Sequence, residues 1–315
     1  MAEAEVLGTE LVRRYKQHYA IADTAPVTEE MLLRHWSLER RLTLDLLSSD
    51  AEHRWEVFEH CYTTLYSELH WLNDLVGTAE TRAPAHDAAE DWTRLIGPPP
   101  KRVYEVGSGK GHLIAALAER GYDCTGTEIT RERGKKWTGA HQPVRWRVTD
   151  GVHLDRFEPA ASYDAVISDE VIEHLHPADL VAHFRGAFAI LKPGGRYAFR
   201  TPHAFEGPFD VSRVFGAERP LGMHLKEYTY RELLVVVRAA GFSPVKASFR
   251  LPPALRARFG GRPRPLPSRT YFSYLRGLER IIARLPGPAR RSFARVLRLA
   301  LWPSEIALVA TRRWR

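Results

Sequence analysis

The spacing of apolar and polar residues changes near residue 95 of the chain. Up to about residue 80, apolar residues recur every three or four positions, which is typical of amphipathic helices, and the polar, proline-containing stretch from Thr78 to Pro100 then breaks regular structure and holds the predicted boundary. Thr28 lies where a helix N-cap is expected, and Ser49 or Asp50 can cap a further helix. The pattern predicts a helical N-terminal region over residues 1–95.

After residue 95, short apolar runs rich in β-branched residues alternate with helical spacing, which indicates parallel strands joined by crossover helices. The predicted strands are Arg102–Val106, Asp123–Glu128, Val144–Thr149, Ala165–Ser168, Gly195–Thr201, Pro244–Leu251 and Glu305–Thr311. The fold class that follows is α/β, with a doubly wound sheet of seven strands spanning residues 96–315.

Composition narrows the protein class. The chain has 315 residues, 44% of them hydrophobic, which is enough for a large core. Its two cysteines, Cys61 and Cys124, are far apart in sequence. Their spacing indicates neither a disulfide framework nor a metal site. The N-terminus lacks a secretory pattern, and no apolar run approaches the roughly 18 residues of a membrane span. A cytoplasmic location is therefore expected.

The net charge of +8 is concentrated near the C-terminus. Residues 252–303, between the last two predicted strands, contain twelve arginines and one acid, Glu279. Arg276, Arg280 and Arg284 repeat every four residues, which predicts a basic helical insertion. It suits an anionic lipid surface, a phosphorylated acceptor or RNA, unless its arginines are merely solvated. If the insertion binds one of these partners, we expect that deleting it leaves cofactor binding intact.

A glycine-rich turn follows the first predicted strand. Gly107, Gly109 and Gly111 permit a tight turn and a close ligand approach, and Glu105 lies at the carboxyl end of the strand. Open α/β sheets bind ligands at this edge. His112 occupies the third glycine position of a dinucleotide fingerprint, which disfavours a nicotinamide cofactor.

Two later strands also end in acids. Glu128, nineteen residues after Gly109, can accept both hydroxyl groups of a ribose. Asp150 can accept a hydrogen bond from an adenine amino group, and Gly151 leaves room for the ring. Three strand ends thus supply the groups that an adenosine-containing cofactor needs.

The chain resembles the Rossmann-like S-adenosylmethionine methyltransferases over residues 101–242. The segments that carry the resemblance are YEVGSGKGHL, TGTEIT, VTDGV, YDAVISDEVIEHLHP, LKPGGRYAFRTPH and HLKEYTYRELLVVVRAAGF. They are most similar to the bacterial branch that includes ubiquinone-pathway O-methyltransferases. The resemblance implies that S-adenosylmethionine is the cofactor and that Glu105, Gly107, Ser108, Gly109, Gly111, Glu128, Ile129, Asp150, Gly151 and Asp169 bind it.

Transfer of a methyl group to oxygen needs an in-line approach and a base that removes the proton of the acceptor. Candidate catalytic residues near the ends of the fourth and fifth strands are Glu170, His174 and His224. Glu170 follows the strand directly and can orient or deprotonate a hydroxyl, and His224 can take the proton. His203 is a further candidate base.

A metal-dependent alternative rests on the same segment. Glu170, Glu173 and His174 have the i, i+3, i+4 spacing that places side chains on one face of a helix. With His224 they resemble the metal ligands of small-RNA 3′-end 2′-O-methyltransferases. The asparagine and aromatic residues of that RNA family are missing after Pro202.

Two functions therefore remain open. The first is a methyltransferase for a small-molecule, lipid-linked, phosphorylated or glycan-intermediate acceptor, with the methyl group most readily placed on oxygen. The second is a metal-dependent RNA ribose 2′-O-methyltransferase. A third, more remote alternative is a binding module that keeps the cofactor and lacks catalysis.

Overall fold

The computed structural model describes residues 8–76, 85–133, 143–249, 266–297, 302–303 and 305–314. They form two compact units. The helical unit combines residues 1–84 with the segment 207–227, and the sheet unit combines residues 85–206 with 228–315. Across the described residues, no helix combines the length and the apolar character needed to cross a membrane.

The helical unit contains α1 (Thr9–His18), α2 (Glu29–Ser48), α3 (Arg54–Glu68), α4 (His70–Leu75) and a short 3-10 turn, Val211–Arg213. Thr28 caps α2 as predicted, because its side chain accepts a hydrogen bond from Met31 N. The predicted cap of α3 is wrong. Asp50 instead accepts from the backbone N–H groups of Glu52 and His53, which forms a turn ahead of the helix.

The sheet unit contains eight strands and seven α-helices within its described residues. The strands are β1 (Arg102–Val106), β2 (Asp123–Glu128), β3 (Val144–Val148), β4 (Tyr163–Asp169), β5 (Leu191–Pro202), β6 (Val245–Phe249), β7 (Leu266–Ser268) and β8 (Glu305–Thr311). The helices are α5 (Ala85–Ile96), α6 (His112–Ala118), α7 (Leu154–Phe157), α8 (Leu180–Ile190), α9 (Tyr230–Ala239), α10 (Arg269–Ile282) and α11 (Gly287–Leu297).

The strands form one mixed sheet in the order β3-β2-β1-β4-β5-β8-β6-β7. Neighbouring strands from β3 through β5 are parallel, whereas β8 is antiparallel to β5 and β6. The chain order reverses at β1, which lies between β2 and β4. In open α/β sheets, ligands bind beyond the carboxyl ends of the strands at such a switch point.

The α/β class is confirmed, and seven strands were predicted where the sheet has eight. The additional strand, β7, has three residues and pairs only with β6 in the described sheet. Its middle residue is Pro267, which lacks a backbone N–H and is tolerated mainly in edge strands. Three residues are too few to show the alternating pattern that identifies a strand.

The boundary between the units differs from the predicted one at 95/96. Helix α5 belongs to the sheet unit, because Trp92, Leu95 and Ile96 share a buried cluster with Val103 and Ile114. The segment 207–227 belongs to the helical unit although it follows β5 in sequence. Contacts distant in sequence decide both assignments.

The basic insertion is also part of the core, which corrects the expectation that it can be removed. Tyr271, Phe272, Leu275 and Ile282 of α10 are buried in the largest apolar cluster of the sheet unit. Its single acid, Glu279, is buried as well. Residues 252–265 and 298–301, the rest of the predicted insertion apart from Trp302 and Pro303, lie outside the described residues, as do the last two residues of the predicted strand Pro244–Leu251.

Glu279 joins α10 to two other elements of the sheet unit. It accepts hydrogen bonds from His203 Nε2 at 3.0 Å, Tyr230 N at 2.6 Å and Arg231 N at 2.9 Å. The two backbone donors lie in the first turn of α9, where a negative charge also complements the helix dipole.

We expect Glu279→Ala to lower the free energy of unfolding by about 3–5 kcal/mol, because three buried donors lose their acceptor. Urea unfolding followed by circular dichroism measures this change. Glu119→Ala, at an exposed position after α6, is the control and should change stability by less than about 0.5 kcal/mol. An equal effect of both substitutions would show that Glu279 does not hold α10 in place.

Candidate active site

The glycine turn between β1 and α6 has the backbone that its sequence predicted. Gly107, Gly109 and Gly111 have φ angles of +66°, +57° and +75°, in the left-handed region that other residues rarely adopt. At Gly107 a Cβ would also lie 2.7 Å from Val171 Cγ2. This position therefore requires glycine for both its backbone and its space.

Hydrogen bonds fix the turn to strand β2. Ser108 N donates to Thr127 O at 2.8 Å, and Ser108 Oγ accepts from Thr127 N at 3.1 Å. The Thr127 hydroxyl donates in turn to Glu105 O at 2.8 Å. Ser108 thus positions the turn through β2, a role that composition alone does not reveal.

Glu105 is buried, and its Oε2 has no hydrogen-bond partner among the described residues. The pKa of Glu105 is raised to about 8, mainly by burial and to a smaller extent by the carboxylates of Asp169 and Glu128, while a hydrogen bond with Ser108 lowers it. A buried carboxyl oxygen without a partner is costly. The site is therefore suited to a ligand with a cationic hydrogen-bond donor.

Glu128 lies beside the glycine turn, as predicted. Its Oε1 accepts from Gly109 N, and its Oε2 lies 3.3 Å from the donor Ile129 N. Burial raises the pKa of Glu128, while the Arg133 guanidinium and the two backbone donors lower it. The carboxylate is thus held at the end of β2 by the turn that it faces.

Asp150 is engaged with its own neighbours. Its Oδ1 accepts from Val152 N and His153 N, both at 2.8 Å, and its Oδ2 lies 2.7 Å from His153 Nδ1. Gly151, at φ +66°, turns the chain here, and its carbonyl oxygen lies 2.6 Å from His183 Nδ1. Each carboxylate oxygen has two lone pairs, so Asp150 keeps capacity for a further donor.

Asp169 forms an ion pair that sequence reasoning missed. Arg200 Nη2 lies 2.6 Å from Asp169 Oδ2, and the guanidinium stacks over the Trp92 ring at 4.8 Å. Asp169 and Arg200 are cross-strand neighbours in the pairing of β4 with β5. Only the strand register, which follows from the fold, brings these two residues together.

Glu170, Glu173 and His174 do not share one helical face, which corrects the sequence prediction. Glu170 has φ +55°, and a 3-10 turn begins only at Ile172. Glu173 is fully buried and accepts from Thr201 Oγ1 at 2.8 Å, whereas Glu170 is exposed. The left-handed residue separates the strand from the turn.

The structure nevertheless brings the two glutamates together. The two carboxyl groups lie near enough to repel each other. Reduced solvation at the crowded strand end, followed by repulsion from Glu173 and Asp169, raises the pKa of Glu170 well above its ordinary value. His174 is half-buried at the end of the turn. The pair can hold a proton and pass it on.

In the helical unit, His224 is paired with Glu227. His224 Nδ1 lies 3.0 Å from Glu227 Oε1, which also accepts from Phe209 N at 2.6 Å. A histidine that donates through Nδ1 carries its basic lone pair on Nε2. Sequence reasoning selected His224 and missed Glu227, although the i, i+3 spacing in HLKE is a usable signal.

His203, the further candidate base, serves the fold. It is fully buried, with Nε2 bonded to Glu279 and Nδ1 accepting from Phe205 N at 3.1 Å. Both ring nitrogens are thus engaged inside the sheet unit. No nitrogen is left to take a proton from an acceptor.

A sheet of this topology, with a left-handed glycine turn after β1 and acids at three neighbouring strand ends, defines an S-adenosylmethionine-dependent methyltransferase. Residues 80–247 match the family described as a methyltransferase domain. The chain belongs to that family, and the resemblance seen in the sequence is confirmed.

Relatives with known names agree. The ubiquinone biosynthesis O-methyltransferase of Bordetella avium is 28% identical over 216 residues, which cover 64% of this chain and 80% of that protein. The enzyme of the same name from Ralstonia nicotianae is 30% identical over 174 residues, covering 50% and 69%. The 1,6-didemethyltoxoflavin-N1-methyltransferase of Burkholderia thailandensis shares the fold at 15% identity, with TM-score 0.50 over 84% of this chain and 92% of that chain.

The residues fit the cofactor of this family. The unpartnered oxygen of Glu105 suits the α-ammonium group of S-adenosylmethionine, and the glycine turn leaves the backbone open beside it. Glu128 and Asp150 would hold the ribose and the adenine. When bound, the cofactor supplies a methyl group activated by a sulfonium.

We expect Glu105→Gln to stabilise the cofactor-free protein at pH 8 by about 1–3 kcal/mol while abolishing cofactor binding. A raised folded-state pKa means that stability falls as pH rises from about 4.5 towards 8, because the carboxyl ionises in the unfolded chain while it stays protonated in the folded protein. Glutamine removes that loss and cannot pair with an ammonium group.

Thermal unfolding at pH 6 and pH 8.5, with and without S-adenosylmethionine, tests both parts. The wild type should lose more stability between these pH values than the variant, and only the wild type should be stabilised by cofactor. Glu119→Gln, at the exposed end of α6, is the control. Cofactor affinity retained by Glu105→Gln would remove Glu105 from the site.

Proposed function

We propose that the enzyme transfers the methyl group to an oxygen atom of a small-molecule, lipid-linked or phosphorylated acceptor. The observation that carries this proposal is the exposed carboxyl group of Glu170 directly after β4, paired with the nearby carboxyl group of Glu173, which raises its pKa. A hydroxyl acceptor must lose its proton as the new bond forms, and this carboxyl pair can receive it. The names of the Bordetella and Ralstonia relatives support oxygen as the acceptor atom.

Four residues take distinct roles in this proposal. Glu170, the exposed member of the pair, orients or deprotonates the hydroxyl, and Glu173 shares the proton. His174 is a second proton carrier beside them. His224 acts as a base through Nε2, and Glu227 is a positioning residue that holds its ring.

We also propose a reducing, cytoplasmic setting, which the buried free thiols of Cys61 and Cys124 support.

The backbone at Glu170 and the names of the relatives support this proposal over the metal-dependent RNA alternative. Glu170, Glu173 and His174 do not share one helical face, because Glu170 has φ +55° and the 3-10 turn begins only at Ile172. The Bordetella and Ralstonia relatives are named as O-methyltransferases of ubiquinone biosynthesis.

We expect Glu170→Gln to lower kcat by about 10²–10⁴-fold and to leave cofactor affinity within about twofold, because glutamine keeps the shape and loses the base. The acceptor is first identified by labelled methyl transfer to hydroxylated small molecules, lipid-linked and phosphorylated compounds, and RNA. Glu119→Gln is the control. Full turnover by Glu170→Gln on that acceptor would move the reacting centre elsewhere.

The same screen, run with and without EDTA, separates the two functions. We expect activity on a non-RNA acceptor that chelator does not change. Methylation of RNA that EDTA abolishes and Mg²⁺ or Mn²⁺ restores would replace the proposal with the metal-dependent alternative.

For His224 and Glu227 we expect non-additive losses of kcat. His224→Gln should lower kcat by about 10²–10³-fold, because it removes the imidazole ring. Glu227→Gln should lower kcat by about tenfold, because it only loosens the position of that ring. The double variant should therefore be no slower than His224→Gln alone. Losses that multiply would show that Glu227 acts independently of His224.

A further inference from the structure

The outer surface of α10 and α11 is basic and apolar at once. Residues 266–297 contain seven arginines and one glutamate. Among the exposed large apolar side chains of this segment are Ile281 at 55%, Phe293 at 40% and Val296 at 62% exposure. We call the exposed side chains Arg269, Arg280, Ile281, Arg284, Phe293, Arg295 and Val296 the arginine face.

The positive charge of this face is not balanced locally. Glu279, the one acid of the segment, points into the core and is engaged by three donors. Arg280, Arg284 and Arg295 are exposed, and their side chains have neither an ion pair nor a hydrogen bond in the part of the chain that the structure describes. Their charges are therefore available to an anionic partner.

Helix periodicity places apolar and basic groups side by side. Arg280 and Arg284 are four residues apart, and Ile281 lies three residues before Arg284, so these three exposed side chains are neighbours on α10, whereas Leu275 is buried. On α11, Phe293 and Val296 are three residues apart and exposed, whereas Ala294 is buried. Each helix therefore shows exposed apolar side chains beside exposed arginines.

We propose that the arginine face docks on an anionic lipid surface. Arginine guanidinium groups pair with lipid phosphates, and exposed apolar side chains enter the boundary between headgroups and acyl chains. RNA also attracts arginines, but it offers no apolar phase for Ile281 and Val296. The contact is peripheral, through side chains of helices that pack on the sheet unit. It does not depend on which acceptor the enzyme methylates.

Sedimentation of the full-length protein with vesicles tests the proposal. The vesicles are equimolar phosphatidylglycerol and phosphatidylcholine, or phosphatidylcholine alone. We expect binding to the anionic vesicles only, with affinity falling at least tenfold between 0.05 and 0.5 M NaCl because salt screens the charges. No binding to anionic vesicles at low salt would overturn the proposal.

Two sets of variants separate the contributions of charge and apolar contact. Arg280→Glu with Arg284→Glu should weaken vesicle binding at least tenfold, and Ile281→Ser with Val296→Ser should weaken it about threefold or more at unchanged charge. The matched control is Arg185→Glu with Arg238→Glu, at exposed positions of α8 and α9. It makes the same change in net charge away from the face and should keep binding within about twofold.

Equal losses in the control would show that net charge alone drives binding and would overturn the proposed face. The proposed face would also be overturned if the variant with Arg280→Glu and Arg284→Glu bound anionic vesicles as tightly as the wild type. A 30-nucleotide RNA is the competing ligand. Tighter binding to RNA than to vesicles, unaffected by Ile281→Ser and Val296→Ser, would assign the face to nucleic acid instead. Circular dichroism and cofactor binding check that each variant is folded.

Discussion

The left-handed turn after β1 is the constraint on which the rest of the site depends. Three glycines at positive φ reverse the chain within five residues, so that α6 can begin where β1 ends. The hydrogen bonds of Ser108 fix that turn to β2, and the Gly109 N–H fixes Glu128 to the turn. Because each contact relies on the previous one, the cofactor side chains share one rigid frame.

Acids crowd the carboxyl ends of the strands within this frame. Asp169 and Glu128 raise the pKa of Glu105 beyond the effect of burial, and Asp169 and Glu173 act likewise on Glu170. Arg200 balances Asp169 directly. A cationic cofactor relieves the remaining repulsion between the acids. The cluster of acids therefore destabilises the cofactor-free protein and favours cofactor binding.

Much of the cofactor site could be predicted from the sequence because it is built from residues close together in the chain. Strand ends, the glycine turn and the position of Glu128 follow from short periodic segments and from residues with unusual backbone freedom. Arg200 and Glu279 were not readable as site or core residues, because their partners lie 31 and 76 residues away, at Asp169 and His203. Their roles depend on strand register and helix packing.

The failed helical face at Glu170 shows a second limit of sequence reasoning. The i, i+3, i+4 spacing assumes helical backbone at every position, and one residue at φ +55° breaks that assumption without any glycine to signal it. A non-glycine residue held at positive φ carries strain of about 1–2 kcal/mol, which surrounding contacts must offset. Here Glu170 N donates to Arg200 O at 3.1 Å, which is one such contact.

The strained backbone at Glu170 therefore determines how the carboxyl groups of Glu170 and Glu173 are placed. The left-handed residue ends β4 abruptly and leaves Glu170 exposed next to a buried partner. The observed arrangement gives the two carboxyl groups different environments, and different environments allow one to hold a proton while the other stays ionised. An acceptor reaching this strand end meets negative charge, so its reacting hydroxyl must arrive neutral, with any phosphate held away from the acids.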